Sequence, residues 1–575
     1  MAAPTPGPAS AITAVDVPGD SSTGFSILAG TPLDGVLEVN GDHDWYAVEL
    51  VAGTRYRITL DGVAIGDIGA LEDPYIYLRD ASGFLLAKND DIRDGVLRNS
   101  LLNWTATTSG RYYLDVGAWN EGYTGGYRLS IAEPAFPIYT LDQVADFLTA
   151  GYWGDVGHRW ATSSDNVITY NLTALTIEGQ VLARAAFQTW ANVTNLVFQE
   201  VENGGDIPFD DNEPNAFASG SWSSGFITSM RVNISTNWLT SYGTTIDSYS
   251  FQTYVHEIGH ALGLGHGGPY NGSANYGVDN LYQNDIWSYT IMSYFDQADA
   301  DFGTYRYVMG PSLADIVAAQ NLYGANTTFN AGNTVYGRNA TAGSLYDFAN
   351  YTTAPAFTIY DTGGSDTLDT SGYGANQTIN LNAEAFSSVG GLTNNIGIAR
   401  GVVLEAARGG DGADSMLGNA GENMLFGNAG ADTLNGGAAN DSLDGGTGND
   451  SLIGGDGLDI ADFRASATGI FVNILMGRAG GNDIGVDALL EIEGAAGGQG
   501  ADSMIGNAGN NILLGNAGAD TLDGGAGSDS LYGGAGNDVL MAAGSDDYLD
   551  GGDGDDVILL GGTQLADILA LFAPA

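Results

Sequence analysis

Residues 256–266 read HEIGHALGLGH, and three of the chain's five histidines lie inside that stretch. His256 and His260 stand four apart, so on a helix their imidazoles share one face, one turn from each other. The neighbours support a helix: Phe251, Tyr254, Val255, Ile258 and Leu262 form an apolar stripe that would bury the opposite side. Gly263 then lets the backbone leave the helix with positive φ and turn back, bringing His266 to the same point. Three neutral imidazoles with an open fourth position describe a catalytic zinc site rather than a structural one. Glu257, beside the first ligand, is placed to hold a metal-bound water and take its proton. Chance assembly on an ordinary core helix is a roughly one-in-a-thousand event for the first three residues alone.

Outward from this motif the chain divides by pattern. Its 575 residues exceed one hydrophobic core, and about two to four domains are expected. Residues 1–135 read as all-β, with Tyr46, Val48 and Leu50, then Tyr56, Ile58 and Leu60, then Tyr112, Leu114 and Val116 alternating with polar neighbours. Turns such as VAGT, DASG and TTSG separate them, which predicts a β-sandwich. Residues 136–330 predict an α+β domain: a helical stretch TLDQVADFLTA, a longer helix over about 176–191 with Leu182, Ala185, Ala186 and Trp190 on one face, a strand MRVNIS, and the helix of the histidines. Residues 331–575 are rich in glycine, aspartate and asparagine and follow a nine-residue period. A larger repeat is superimposed, since LEAARGGDGADSMLGNAGENMLFGNAGADTLNGG returns as IEGAAGGQGADSMIGNAGNNILLGNAGADTLDGG after a strand-rich spacer at about 463–496.

The nonapeptides fit GGxGxDxUx, a calcium-binding parallel β-roll. Glycines let each repeat turn tightly with carbonyls toward an ion, and the sixth residue adds a carboxylate. Those positions are Asp414, Asp432, Asp441, Asp450 and Asp459, then Asp502, Asp520, Asp529, Asp538, Asp547 and Asp556, with Asn423 and Asn511 predicting weaker sites. Inward positions read Met416, Leu425, Leu434, Leu443 and Leu452, then Met504, Leu513, Leu522, Leu531, Leu540 and Leu549. Such a thin core predicts that the roll forms with calcium and is disordered without it. The apolar residue in every repeat argues against a permanently disordered linker.

Bulk composition narrows the partners. The formal charge of −52, from 69 acidic against 17 basic residues, would repel a phosphate backbone and argues against nucleic acid. No apolar run reaches the length of a membrane span. With no cysteine, disulfides, thiolate zinc sites and cysteine nucleophiles are excluded. The opening MAAPTPGPASAITAVD has no basic region followed by an apolar one, so it does not read as a cleavable signal peptide. A monomer is expected.

The HExxHxxGxxH pattern resembles the metzincins, and its surroundings resemble their serralysin branch. NDIWSYTIMSYF is similar to that family's Met-turn, with Met292 as a hydrophobic floor under the zinc. The resemblance implies that Tyr294 is a weak extra zinc ligand that leaves the metal when substrate binds and then hydrogen-bonds the oxyanion. Gly267 departs from the proline usual after the third histidine. FTIYDTGGSDTLDTSGYGANQTINLNAEAFSSVGG resembles the lead-in to the serralysin roll. Kinship implies a secreted, extracellular zinc endopeptidase acting on proteins or peptides, stabilised by calcium and exported by type I secretion machinery. The tail LADILALFAPA lacks the usual acidic residue followed by hydrophobes. Residues 1–135 resemble the bacterial pre-peptidase C-terminal domain, with Asp42, Asp44, Asp90 and Asp91 as possible calcium ligands and His43, like His158, in a structural or surface role. The competing reading is a calcium-dependent adhesive or surface-layer protein with a vestigial protease domain. The intact Glu257 speaks against it, because a scaffold has no use for a general base.

Overall fold

Alternation along the first strands becomes a two-layer core in the computed structural model. It describes residues 17–560 apart from 53, 67, 90–98, 120–121, 133–135, 163–164, 278 and 544–545. The opening stretch 1–16, Asp90, Asp91 and the tail LADILALFAPA lie outside the described residues. Two compact units divide between Ile138 and Tyr139. In the first, the strands are Leu33–Leu37 (β1), Asp44–Leu50 (β2), Arg55–Gly62 (β3), Pro74–Arg79 (β4), Leu85–Asn89 (β5), Ser100–Thr105 (β6), Gly110–Ala118 (β7) and Gly125–Ala132 (β8). They form antiparallel sheets of order β1-β8-β3-β6 and β2-β7-β4-β5. Tyr46, Val48, Ile58, Leu60, Leu114 and Val116 are buried between them, as a sandwich requires.

The second unit begins with Leu141–Thr149 (α1), whose Thr140 and Gln143 form a capping box. Next come Arg159–Trp160 (β9), Val167–Ala174 (β10), Ile177–Val193 (α2), Val197–Glu200 (β11), Ile207–Asp210 (β12), Ala216–Ser223 (β13) and Phe226–Ile234 (β14). The sheet order is β11-β10-β12-β14-β13, with β13 antiparallel to β14 and at the sheet edge. Short helix Thr236–Tyr242 (α3) leads to Tyr249–Ala261 (α4), which Ser248 caps through the Phe251 N–H. Phe251, Tyr254, Val255 and Ile258 of α4 are buried, and the Trp190 indole of α2 donates to the Val255 carbonyl at 3.0 Å. Leu313–Tyr323 (α5) completes the helices.

Beyond α5 the chain winds into a roll of short parallel strands forming two sheets, ten-stranded and eleven-stranded. Within each block an inward residue meets the one two repeats on, as Leu425 does Leu443 and Leu434 does Leu452, and Leu452 meets Leu489 of the spacer. These apolar residues are buried from Met416 to Leu540, while Leu549 is half-buried. The spacer forms three strands, Ile470–Asn473, Arg478–Gly481 and Gly485–Leu490, inserted into the longer sheet. It therefore continues the roll rather than interrupting it. One core of buried residues runs from Leu141 on α1 to Leu540 in the roll.

Candidate metal centre and calcium sites

The three histidines of the motif converge. The Nδ1 of His256 lies 2.8 Å from the Ile291 carbonyl and the Nδ1 of His260 2.8 Å from the Leu264 carbonyl. A carbonyl only accepts, so both Nδ1 atoms carry the proton and both Nε2 atoms present a lone pair. His266 Nδ1 is 3.2 Å from the Tyr152 hydroxyl, and its Nε2 is 3.0 Å from that of His260. One ligand atom from each of His256, His260 and His266 lies within 4.8 Å of the others. Desolvation lowers all three imidazoles, His256 to about 4, His266 to about 3 and His260 well below its ordinary value. Neutral rings with facing lone pairs suit a divalent cation, and an all-nitrogen set of three suits zinc. Gly263 turns the chain at φ 102°, and a side chain there would strike the His158 carbonyl.

Glu257 is buried, and its Oε2 has no protein partner among the described residues. Burial pushes its carboxyl up to about 8, with a hydrogen bond from the Ala218 backbone on β13 working against the rise. Tyr294 stands with its ring centroid 4.6 Å from that of His266, and its hydroxyl accepts the Gly272 N–H at 3.2 Å. Met292 is fully buried under α4, its sulfur against Gly259. The family's usual proline is replaced for a steric reason. A side chain at Gly267 would come within 3.0 Å of the Asp285 carboxyl carbon and 3.1 Å of the Tyr270 hydroxyl. The Tyr270 hydroxyl donates to Asp285 at 2.9 Å and accepts the Tyr294 N–H at 3.3 Å.

Family models match the chain in four places: matrixin over 159–271, the Peptidase M10 serralysin C terminal over 325–488, the RTX calcium-binding nonapeptide repeat over 496–531 and 532–562, and the bacterial pre-peptidase C-terminal domain over 42–118. The chain is 35% identical over 334 residues to metalloprotease AprA of Pseudomonas entomophila, covering 49% of this chain and 65% of that one. To metallopeptidase AprA of Pseudomonas marginalis it is 34% identical over 350 residues, 55% of this chain and 72% of the relative. A serralysin of Photorhabdus laumondii is 38% identical over 251 residues, 41% of this chain and 52% of the relative. The chain belongs to the serralysin family.

This serralysin-family chain holds its three clustered histidines through partners that the motif does not contain. Asp315, buried at the start of α5, accepts from Ile291 N at 2.7 Å, Thr290 Oγ1 at 2.6 Å and Ser312 N at 2.8 Å. It thereby pins the peptide whose carbonyl orients His256. Tyr152 does the same for His266 from 114 residues upstream. Of the remaining histidines, His158 is buried against Trp153 and Trp222. His43 Nδ1 lies 2.6 Å from the buried Asp115 carboxylate.

The roll sorts its aspartates. After the first aspartate of each block, the Oδ1 atoms accept the backbone N–H of the residue 18 before, as Asp432 does from Asp414 and Asp450 from Asp432. The Oδ2 atoms of Asp432, Asp441, Asp450, Asp459, Asp520, Asp529 and Asp538 are buried without a protein partner among the described residues. A row of such carboxylate oxygens suits cations, and all-oxygen ligands suit calcium. The first aspartate of each block differs: Asp414 Oδ2 accepts Gly410 N at 2.7 Å and Asp502 Oδ2 accepts Gly498 N at 2.9 Å. Asn423 and Asn511 each accept an N–H four residues back. Asp547 and Asp556 are half-buried and accept from Asp529 N and Asp538 N. An acidic group outside the nonapeptides also gathers at the roll's first turns. Asp366 is fully buried with Oδ2 unpartnered, beside Asp361 and Glu405, and burial pushes its carboxyl up to about 7. No nine-residue period marks that group, so the repeat pattern did not reveal it.

Proposed function

We propose that this chain is a secreted, calcium-stabilised zinc endopeptidase that hydrolyses peptide bonds in proteins, with Glu257 as general base. The observation carrying this reading is the buried Glu257 carboxylate, its Oε2 without a protein partner among the described residues, on the same helix as two of three convergent histidines. Zinc held by His256, His260 and His266 supplies Lewis acidity, acidifying a water and polarising a carbonyl. Glu257 takes the proton from the attacking water and hands it to the leaving amine. The Tyr294 hydroxyl, freed from Gly272, donates to the oxyanion as a conditional ligand and hydrogen-bond donor.

The β13 edge supports an extended substrate adding itself as a strand, so that main-chain hydrogen bonds bind it and alternate side chains select it. Calcium bound between roll turns at the aspartates whose Oδ2 atoms lack a protein partner folds the C-terminal part. Export by type I machinery and monomeric action are part of this reading and rest on the family resemblance. The test is casein hydrolysis by full-length protein refolded in calcium and zinc. Activity abolished by a zinc chelator and restored by zinc is expected, and chelator-resistant hydrolysis would contradict the reading.

A further inference from the structure

An unbroken chain of aromatic contacts leaves the metal centre on one side. The Tyr152 ring lies 5.3 Å from that of His266, Trp153 4.9 Å from Tyr152, and Trp222 5.3 Å from Trp153. The last ring belongs to the end of β13, and it remains 46% exposed although it packs on His158 at 4.4 Å. Register fixes its direction. Ala218 pairs with Val232, Gly220 with Met230 and, past a bulge, Trp222 with Ile227. Val232, Met230 and Ile227 are all buried in the core. Side chains of paired residues share a face, so Ala218, Gly220 and Trp222 lie on the α4 side of the sheet, where the zinc site is. The Met230 side chain lies against Gly220 on that side, so the strand carries no side chain of its own there before the Trp222 indole at its end.

Resting on the endopeptidase reading above, we propose that Trp222 and Trp153 form a substrate subsite that selects an aromatic or large apolar residue. Four residue steps along the strand lead from Ala218, which touches Glu257, to Trp222, a span of about 13 Å. Antiparallel addition is the better-bonded arrangement for an edge strand. It runs the substrate's N-terminal side toward Trp222, so the selected residue is the third or fourth before the scissile bond. An exposed indole beside a second indole offers a flat apolar surface to such a side chain.

The test uses full-length protein in calcium and zinc with casein and a set of quenched fluorescent peptides sharing one cleavage site. Alanine or phenylalanine is placed in turn at each of four positions on either side. The expected result is a kcat/KM ratio, phenylalanine over alanine, of about tenfold at the third or fourth position before the bond. Trp222→Ala brings that ratio near one and Trp222→Phe keeps most of it. Because the ratio is internal to each variant, a loss of folded enzyme does not affect it. No selectivity there, selectivity confined to the other side of the bond, or a ratio unchanged in Trp222→Ala overturns the subsite while casein cleavage leaves the protease reading standing. Failure of the wild type to cleave casein or any peptide overturns both.

Discussion

The Nε2 atoms of His260 and His266 lie 3.0 Å apart, close enough to share one cation. What holds them there is a set of hydrogen bonds on the far side of each ring. Removing one, by Tyr152→Phe, is predicted to weaken zinc binding about tenfold to a hundredfold, measured by competition with a chromogenic chelator. An unchanged affinity would show that Tyr152 contributes only packing. Tyr294→Phe is predicted to keep zinc but lower kcat about a hundredfold, which steady-state kinetics on a peptide reads directly. At this scale the sequence was readable where chemistry is local. HEIGHALGLGH carries ligands, base and turn within one helix and its exit, whereas Tyr152 is 114 residues from the ring it supports and no periodicity connects them. The proline missing after His266 became intelligible only with Asp285 and Tyr270 in place against Gly267.

The Met-turn and the roll are elements whose order depends on buried carboxylates. Asp315 satisfies three donors that would otherwise be stranded in the core, so Asp315→Ala is predicted to cost about 3 kcal/mol of stability, read from the denaturant midpoint. In the roll, burial pushes the carboxyls of Asp432 and Asp520 up to about 7 and those of Asp441 and Asp450 to about 6. An unfolded chain holds them near about 3.9. The calcium-free roll therefore binds protons that the unfolded chain has released, so its stability grows as pH falls through 7 and 6 and shrinks as pH rises. Far-UV circular dichroism in a calcium chelator is predicted to show more β-structure at about pH 5.5 than at about pH 8. The opposite order, or none, would mean these carboxylates do not oppose folding. Inward residues from Met416 to Leu540 were legible because each repeat restates them. The repeat could not show that Asp414 and Asp502 spend their second oxygen on a backbone N–H, since their nonapeptides look like the others.

Across the whole chain, the charge of −52 is bearable in a folded state only with counter-charge, and the roll is where most sixth-position carboxylates line up. Catalytic residues and roll share one buried core, while residues before 139 have their own. Calorimetry is accordingly predicted to show two transitions, of which calcium raises only that of the 139–575 unit. A calcium shift in both, or in neither, would contradict the division of the cores. The sandwich, the α+β region and the roll were each announced by their own period. The continuity of the last two was not, because it depends on contacts between distant segments such as Tyr289 with Phe386 and Asp142 with Arg400. The central claim, that Glu257 serves as the base of a zinc peptidase, is tested most directly by casein hydrolysis and zinc content in Glu257→Gln beside the wild type. The account predicts equal zinc and a rate lowered by about a hundredfold to ten-thousandfold. Equal zinc with undiminished hydrolysis would contradict it.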